Sequence, residues 1–156
     1  MRHFKSYMKK AIEQAIEAYF MSEVPVGAII IDNKNNIISA NYNRVISMND
    51  PTAHAEILCI REACKKLKKN NLRDCSIYIT LEPCSMCASA ISKSQLKNIF
   101  YGASDPKSGG IENGAKIFSH PQTHFKPNIY SGFEEKKIEH LMKKFFYELR
   151  NKNLAP

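Results

Sequence analysis

Apolar residues recur at three- and four-residue spacing from the start of the chain. Phe4, Tyr7 or Met8, Ala11, Ile12, Ala15, Ile16 and Tyr19 form one stripe, which predicts an amphipathic helix. The period then changes. Val24-Pro25-Val26-Gly27-Ala28-Ile29-Ile30-Ile31 is a nearly unbroken apolar run that reads as a buried strand. Asp32-Asn33-Lys34-Asn35-Asn36 is a tight connection, and residues 37–43 return as a second strand, so the pair makes a hairpin. Asp50-Pro51-Thr52 breaks the chain before a helical stretch over 55–67, whose apolar positions are 57, 58, 60, 63, 64 and 67. Three further strands are predicted at 76–81, 98–103 and 125–130. A short helix over about 84–92, opened by Glu82-Pro83, separates the first two, and a last helix covers about 134–151.

Strands alternating with helices after an initial hairpin predict a three-layer α/β/α sandwich with a five-stranded mixed sheet. No repeat, low-complexity tract or linker divides the chain, so residues 1–156 read as one domain. Residues 104–122 are the longest stretch without periodicity and contain Gly109-Gly110 and Gly114. Loops of this length in small domains often carry function.

Composition narrows the class. At 44% hydrophobic and 24% charged residues, with 13 Gly and Pro in 156 positions, a disordered, collagenous or coiled-coil chain is excluded. No run approaches the ~18 apolar residues of a membrane span, and the N-terminus lacks an apolar signal core, so a cytoplasmic protein is expected. Five cysteines, an odd number without a leader, point to reduced thiols rather than a disulfide framework. Net charge is +8, which suits a polyanionic partner such as nucleic acid or an anionic membrane surface. Lysine supplies 18 of the 23 cations, however, and Ile and Asn are also abundant. Biased codon usage explains the same excess, so charge alone assigns no partner.

Two motifs carry the chemistry: Pro51-Thr52-Ala53-His54-Ala55-Glu56 at a helix start, and Leu81-Glu82-Pro83-Cys84-Ser85-Met86-Cys87 where a strand hands over to a helix. Cys84 and Cys87 are three apart, which puts both sulfurs on one face of a first helical turn, where the exposed N–H groups and dipole favour thiolates. His54 can add a neutral imidazole. Three protein ligands leave a tetrahedral zinc ion a fourth position for water, the mark of a catalytic rather than a structural site. Zn2+ is therefore the expected cofactor, with His54, Cys84 and Cys87 as ligands and Glu56 as the group that takes the water's proton. One difficulty stands: two residues span about 200° of an ideal helix, so His54 and Glu56 would point apart unless the first turn is distorted.

Other readings remain at this level. A lone Cys-x-x-Cys can be a redox pair or half of a structural zinc site. The first fits poorly beside His-x-Glu. The second needs a fourth ligand from Cys59, Cys64, Cys75, His120, His124 or His140, of which Cys59 and Cys64 lie in a helical pattern and read as core.

His-Ala-Glu followed about thirty residues later by Pro-Cys-x-x-Cys resembles the signature of the zinc-dependent cytidine and nucleobase deaminases. The resemblance runs over nearly the whole chain and is closest to the bacterial tRNA-specific adenosine deaminases. Glu23-Val24-Pro25-Val26-Gly27-Ala28, Asn43-Arg44, the two metal motifs with Asp50 and Ala88, and residues 101–109 carry it. Val45, where that family commonly has proline, and the run from Gly110 to Asn113 depart from it. The resemblance implies a cytidine-deaminase-like fold, a homodimer, and hydrolytic deamination of the wobble adenosine in a tRNA anticodon stem-loop, of an arginine tRNA. It also implies that Asn43 bonds the nucleoside, that Val26 packs on the base, and that the backbone at Ala55 reads its edge. Asp105, Lys107 and Ser108 would lie beside the RNA, completed by Phe145, Phe146 and Arg150 of the last helix.

Bland alternatives exist for these. Val26 is core by default, Asn43 a strand-end residue, and Asp105 to Ser108 a solvated turn. At least one of Phe145 and Phe146 is expected to pack inward. The nearest rival activity is deamination of a free base or nucleoside, for which neither the positive charge nor a basic, aromatic last helix is needed. A non-catalytic RNA-binding module with a structural zinc would have no use for Glu56.

Overall fold

The computed structural model describes residues 2–152. The side chain of Phe4, part of the first apolar stripe, lies outside the described residues. The elements are α1 (Arg2–Phe20), β1 (Gly27–Ile31), β2 (Ile37–Tyr42), α2 (Ala55–Leu67), β3 (Ser76–Leu81), α3 (Ser85–Ser94), β4 (Asn98–Ala103), β5 (Asn128–Tyr130) and α4 (Glu135–Lys152). Five strands form one mixed sheet in the order β2-β1-β3-β4-β5, with β3, β4 and β5 parallel and the β1–β2 and β1–β3 pairs antiparallel. The predicted order of elements holds.

Two strands are shorter than their apolar runs. Pro25 has no N–H to give a ladder, and Val26 donates instead to the Val24 carbonyl at 2.7 Å, so β1 begins only at Gly27. Phe125 donates to Ser92 Oγ rather than to β4, and β5 starts three residues later.

All five residues of β1 are buried because helices cover both sheet faces. Alternation then builds two cores. Ala28, Ile30, Ile77 and Ile79 meet Ala55 and Cys59 of α2 and Ile91 of α3, whereas Ile29, Ile31, Tyr78 and Phe100 meet Met8 and Ile12 of α1 and Ile138 of α4. Gly27 is fixed by this packing: a Cβ there would lie 2.1 Å from the Ala11 carbonyl oxygen and 2.4 Å from the Ala15 nitrogen. The small face of α1 rests directly on the strand backbone.

The last helix resolves the two phenylalanines. Ile138, Leu141, Met142 and Phe145 form its inner stripe, and Phe145, 8% exposed, packs its ring against Tyr19 of α1 at 6.1 Å between centroids. Phe146 is 38% exposed. Phe145→Ala is expected to destabilise the fold by about 3 kcal/mol, a typical buried Phe truncation. Phe146→Ala is expected to stay within about 0.5 kcal/mol of the parent. Thermal denaturation of the two variants side by side checks this.

Candidate metal centre and active site

The site forms where the first turns of α2 and α3 meet, at the C-terminal end of β3. His54 is not helical. It is the N-cap of α2, with extended backbone angles of φ −72° and ψ 151°. The break before it holds that conformation: Asp50 Oδ1 accepts from the Thr52 amide at 2.8 Å and hydroxyl at 2.7 Å, and Arg44 N–H donates to the Ala53 carbonyl at 2.9 Å. Because the 100° step of a helix begins only at Ala55, His54 and Glu56 line one pocket without any distortion of α2. Cys84 likewise caps α3 from an extended conformation, and Cys87 sits in the turn after it.

The three ligand atoms lie within 4.8 Å of one another. His54 Nδ1 is 3.7 Å from Cys84 Sγ and 3.5 Å from Cys87 Sγ. An imidazole nitrogen and a thiolate bound tetrahedrally to zinc at ~2.05 and ~2.3 Å are about 3.6 Å apart. The donor set therefore fits zinc in both chemistry and spacing. Among the described residues no fourth His, Cys, Asp or Glu joins the group. Cys59, a rival ligand by sequence, bonds the Ala28 carbonyl in the core, where burial pushes its thiol up to about 12.

Without a metal the two cysteines divide one role. The Cys87 thiol donates to Cys84 and, with His54, lowers the Cys84 pKa to about 4, leaving it a thiolate. Cys87, bonded to that sulfur and buried, is held above the ordinary thiol range. The Cys84 sulfur raises the His54 pKa, against burial. Glu56 is 3% exposed, and its Oε2 has no hydrogen-bond partner. Burial raises its pKa, so a carboxyl able to carry a proton lines the same pocket as His54 and Cys84.

The pocket beside these groups encloses about 300 Å³ and is walled by Val26 and Asn43 among others. Asn43 N–H donates to the Val26 carbonyl at 3.0 Å, which joins the two walls. Asn43 Nδ2 reaches Glu23 at 3.5 Å. Ala55, between the two site residues of α2, is fully buried.

A second, larger depression of about 650 Å³ lies between the 104–108 turn and α4. Asp105, Lys107 and Ser108 face Phe146 and Arg150 across it, and it shares Leu81 with the pocket. Phe145 is absent from it. This corrects the sequence reading of that residue: the ring is in the α1–α4 contact and does not line the groove. The basic run at 65–69 ends α2, about 20 Å of helix away from His54, and Lys66 there is paired with Glu62 at 2.6 Å.

Two wall residues escaped the sequence reading. Glu23 and Glu82 are 1% and 2% exposed, and both line the pocket. Glu23 accepts from the amides of Ile46 and Ser47 at 3.2 and 2.7 Å, which folds the 44–50 turn over the site. The available signal was a carboxylate adjoining an apolar strand run, where burial needs a dedicated set of donors.

Comparison with known proteins places the chain among deaminases. The family described as MafB19-like deaminase matches residues 1–150. The chain is 46% identical over 145 residues to the tRNA-specific adenosine deaminase of Rickettsia bellii (strain RML369-C), covering 92% of this chain and 100% of the relative. It is 42% identical over 144 residues to that of Agrobacterium fabrum (strain C58 / ATCC 33970), covering 92% and 94%. A solved structure from a study of A-to-I editing by tRNA:A34 deaminases at the wobble position superposes with a TM-score of 0.85. It is 41% identical, over 87% of this chain and 98% of that one.

Proposed function

Because the chain belongs to the MafB19-like and tRNA-specific adenosine deaminases, we propose that it hydrolyses the wobble adenosine of a tRNA anticodon, in an arginine tRNA, to inosine. The single observation that carries the chemistry is the unpartnered, buried Glu56 Oε2 beside a three-ligand His54–Cys84–Cys87 centre. Zinc, when bound there, supplies Lewis acidity that activates a water molecule for attack on C6 of the base. Glu56 takes the water's first proton at Oε2 and passes it to the ring nitrogen; it then takes the proton of the new C6 hydroxyl and gives it to the amino group, so that the C–N bond breaks and ammonia leaves. Val26 packs on the flipped base, Asn43 offers its amide to the nucleoside, and the Ala55 backbone reads the base edge.

The groove extends the substrate beyond one nucleoside. Lys107, Phe146 and Arg150 line one groove; in this reading the two cations meet phosphates and the ring stacks on a splayed base. The resemblance to the family extends the reading to a homodimer working in the cytoplasm. Among the described residues no helix is long and apolar enough to cross a membrane.

The deciding assay offers an arginine tRNA anticodon stem-loop with wobble adenosine, and separately free guanine, cytosine and cytidine. Inosine from the RNA, with the free compounds unchanged, is expected; turnover of a free base alone would overturn the reading. Neutralising Lys107 and Arg150 to Gln is expected to lower the slope of log affinity against log salt by roughly one for each phosphate deprived of its cation. Neutralising Lys65, Lys68 and Lys69 is expected to leave the slope unchanged, and an equal effect would move the RNA to the far end of α2.

A further inference from the structure

Glu82 is 2% exposed, and among the described residues it forms no ion pair with any cation. Its charge is held by hydrogen-bond donors alone. Oε1 accepts from the backbone amides of Ile111, Glu112 and Asn113 at 3.1, 2.8 and 3.0 Å. Oε2 accepts from the Asp105 amide at 3.0 Å, the Ser104 hydroxyl at 3.3 Å and Asn113 Nδ2 at 2.6 Å. The two ends of the 104–113 loop are thus fastened to one carboxylate at the end of β3. Gly109 allows the approach, since a Cβ there would lie 2.5 Å from Glu82 Cδ and 2.6 Å from Oε1.

The fastening reaches the groove through Asp105. With its amide held by Glu82, Asp105 turns its own Oδ1 to accept from the amides of Lys107 and Ser108, both at 3.1 Å. Its carbonyl accepts from Gly109 N–H at 2.9 Å. Lys107 and Ser108, which face Phe146 and Arg150, are therefore set in place by a chain of bonds that begins at Glu82. Each carboxylate oxygen meets donors only, and an amide turned either way would put its NH2 against them. The position requires an anion, not merely a group of that shape.

We propose that Glu82 is a positioning residue that sets affinity for the RNA by fixing the 104–108 wall of the groove, apart from the proton transfers of Glu56. This rests on the functional reading above. Glu82→Gln is expected to fold and load zinc normally, and to raise KM for the anticodon stem-loop about tenfold or more, the scale of one buried donor left unsatisfied. Because Glu82 also walls the pocket, some fall in kcat is expected, but a smaller one than the rise in KM. Amide exchange in the RNA-free protein is expected to quicken at 105 and 111–113. Asn113→Ala, which leaves the carboxylate in place and removes one donor, is expected to move KM the same way by less, and carries the test if Glu82→Gln does not fold. A fall in kcat at unchanged KM, or unchanged amide exchange, would overturn the proposal. A parent protein that leaves the stem-loop untouched would instead sink the functional reading, and the proposal with it, before any variant is compared.

Discussion

Glu56→Gln is expected to fold, to bind one zinc ion per chain, and to deaminate the stem-loop at least about 1,000-fold more slowly than the parent. General acid–base catalysis by one group contributes roughly 10²–10⁴-fold, and in the proposed reaction the same carboxyl moves a proton at more than one step. Gln keeps the shape but cannot carry the proton. No hydrogen bond to Oε2 is removed, because that atom has no partner, so the variant separates chemistry from architecture. The metal-free proteins should differ in the opposite sense. Burial raises the Glu56 pKa, so the folded state holds its proton to higher pH than the unfolded chain. Stability contributed by the protonated form is present at low pH and falls as pH rises from the ordinary carboxylate range toward the raised value. The Gln variant does not titrate and should become the relatively more stable protein as pH increases. Single-turnover rates, zinc content and melting temperatures against pH measure all three. Activity within tenfold of the parent would assign the proton to another group.

Cys87→Ala should remove metal and activity together. Two remaining ligands hold zinc far more weakly, and the stabilisation that a bound ligand lends to the native state disappears with it. Chelation of the parent should have the same effect and be reversed by added zinc, whereas the variant should not recover. The proton count adds a sharper readout. Cys84, with its pKa near 4, enters as a thiolate, but Cys87 is held above the usual thiol range and His54 is raised. Both must lose protons to the solvent as metal arrives. Zinc affinity should therefore weaken as pH falls from about 8 to 6, and uptake should acidify a weakly buffered solution. An affinity independent of pH across that range would show that the site is already deprotonated when empty.

Much of this was legible in the chain because it is local. The three-layer order followed from the change of period between apolar runs, and the grouping of His54, Cys84 and Cys87 from spacing within two motifs. The geometry of His54 and Glu56 was not, since it depends on one residue being a cap rather than a helical position. Asp50 and Thr52 decide that, and the motif bears on it only through the break at Pro51. Phe145 and Phe146 are adjacent, so the phase of α4 against Tyr19, a contact across more than a hundred residues, settled which faces inward. Glu23 and Glu82 look like ordinary charged residues in sequence, because their donors come from loops without any pattern.

The sheet separates labour in a way that bears on how such proteins diversify. His54, Cys84, Cys87 and Glu56 belong to the layer of α2 and α3, packed on one face, while the helix that borders the groove lies with α1 on the other. A lineage can rebuild α4 without disturbing His54, Cys84 or Cys87, whereas the 104–113 loop is tied to that layer, bridged to Cys84 at Gly109 and bonded to the Pro83 carbonyl through Gly110. New substrates would then be reached by exchanging the rim around an unchanged reactor, and grafting a foreign rim onto this chain should alter what is deaminated before it alters how.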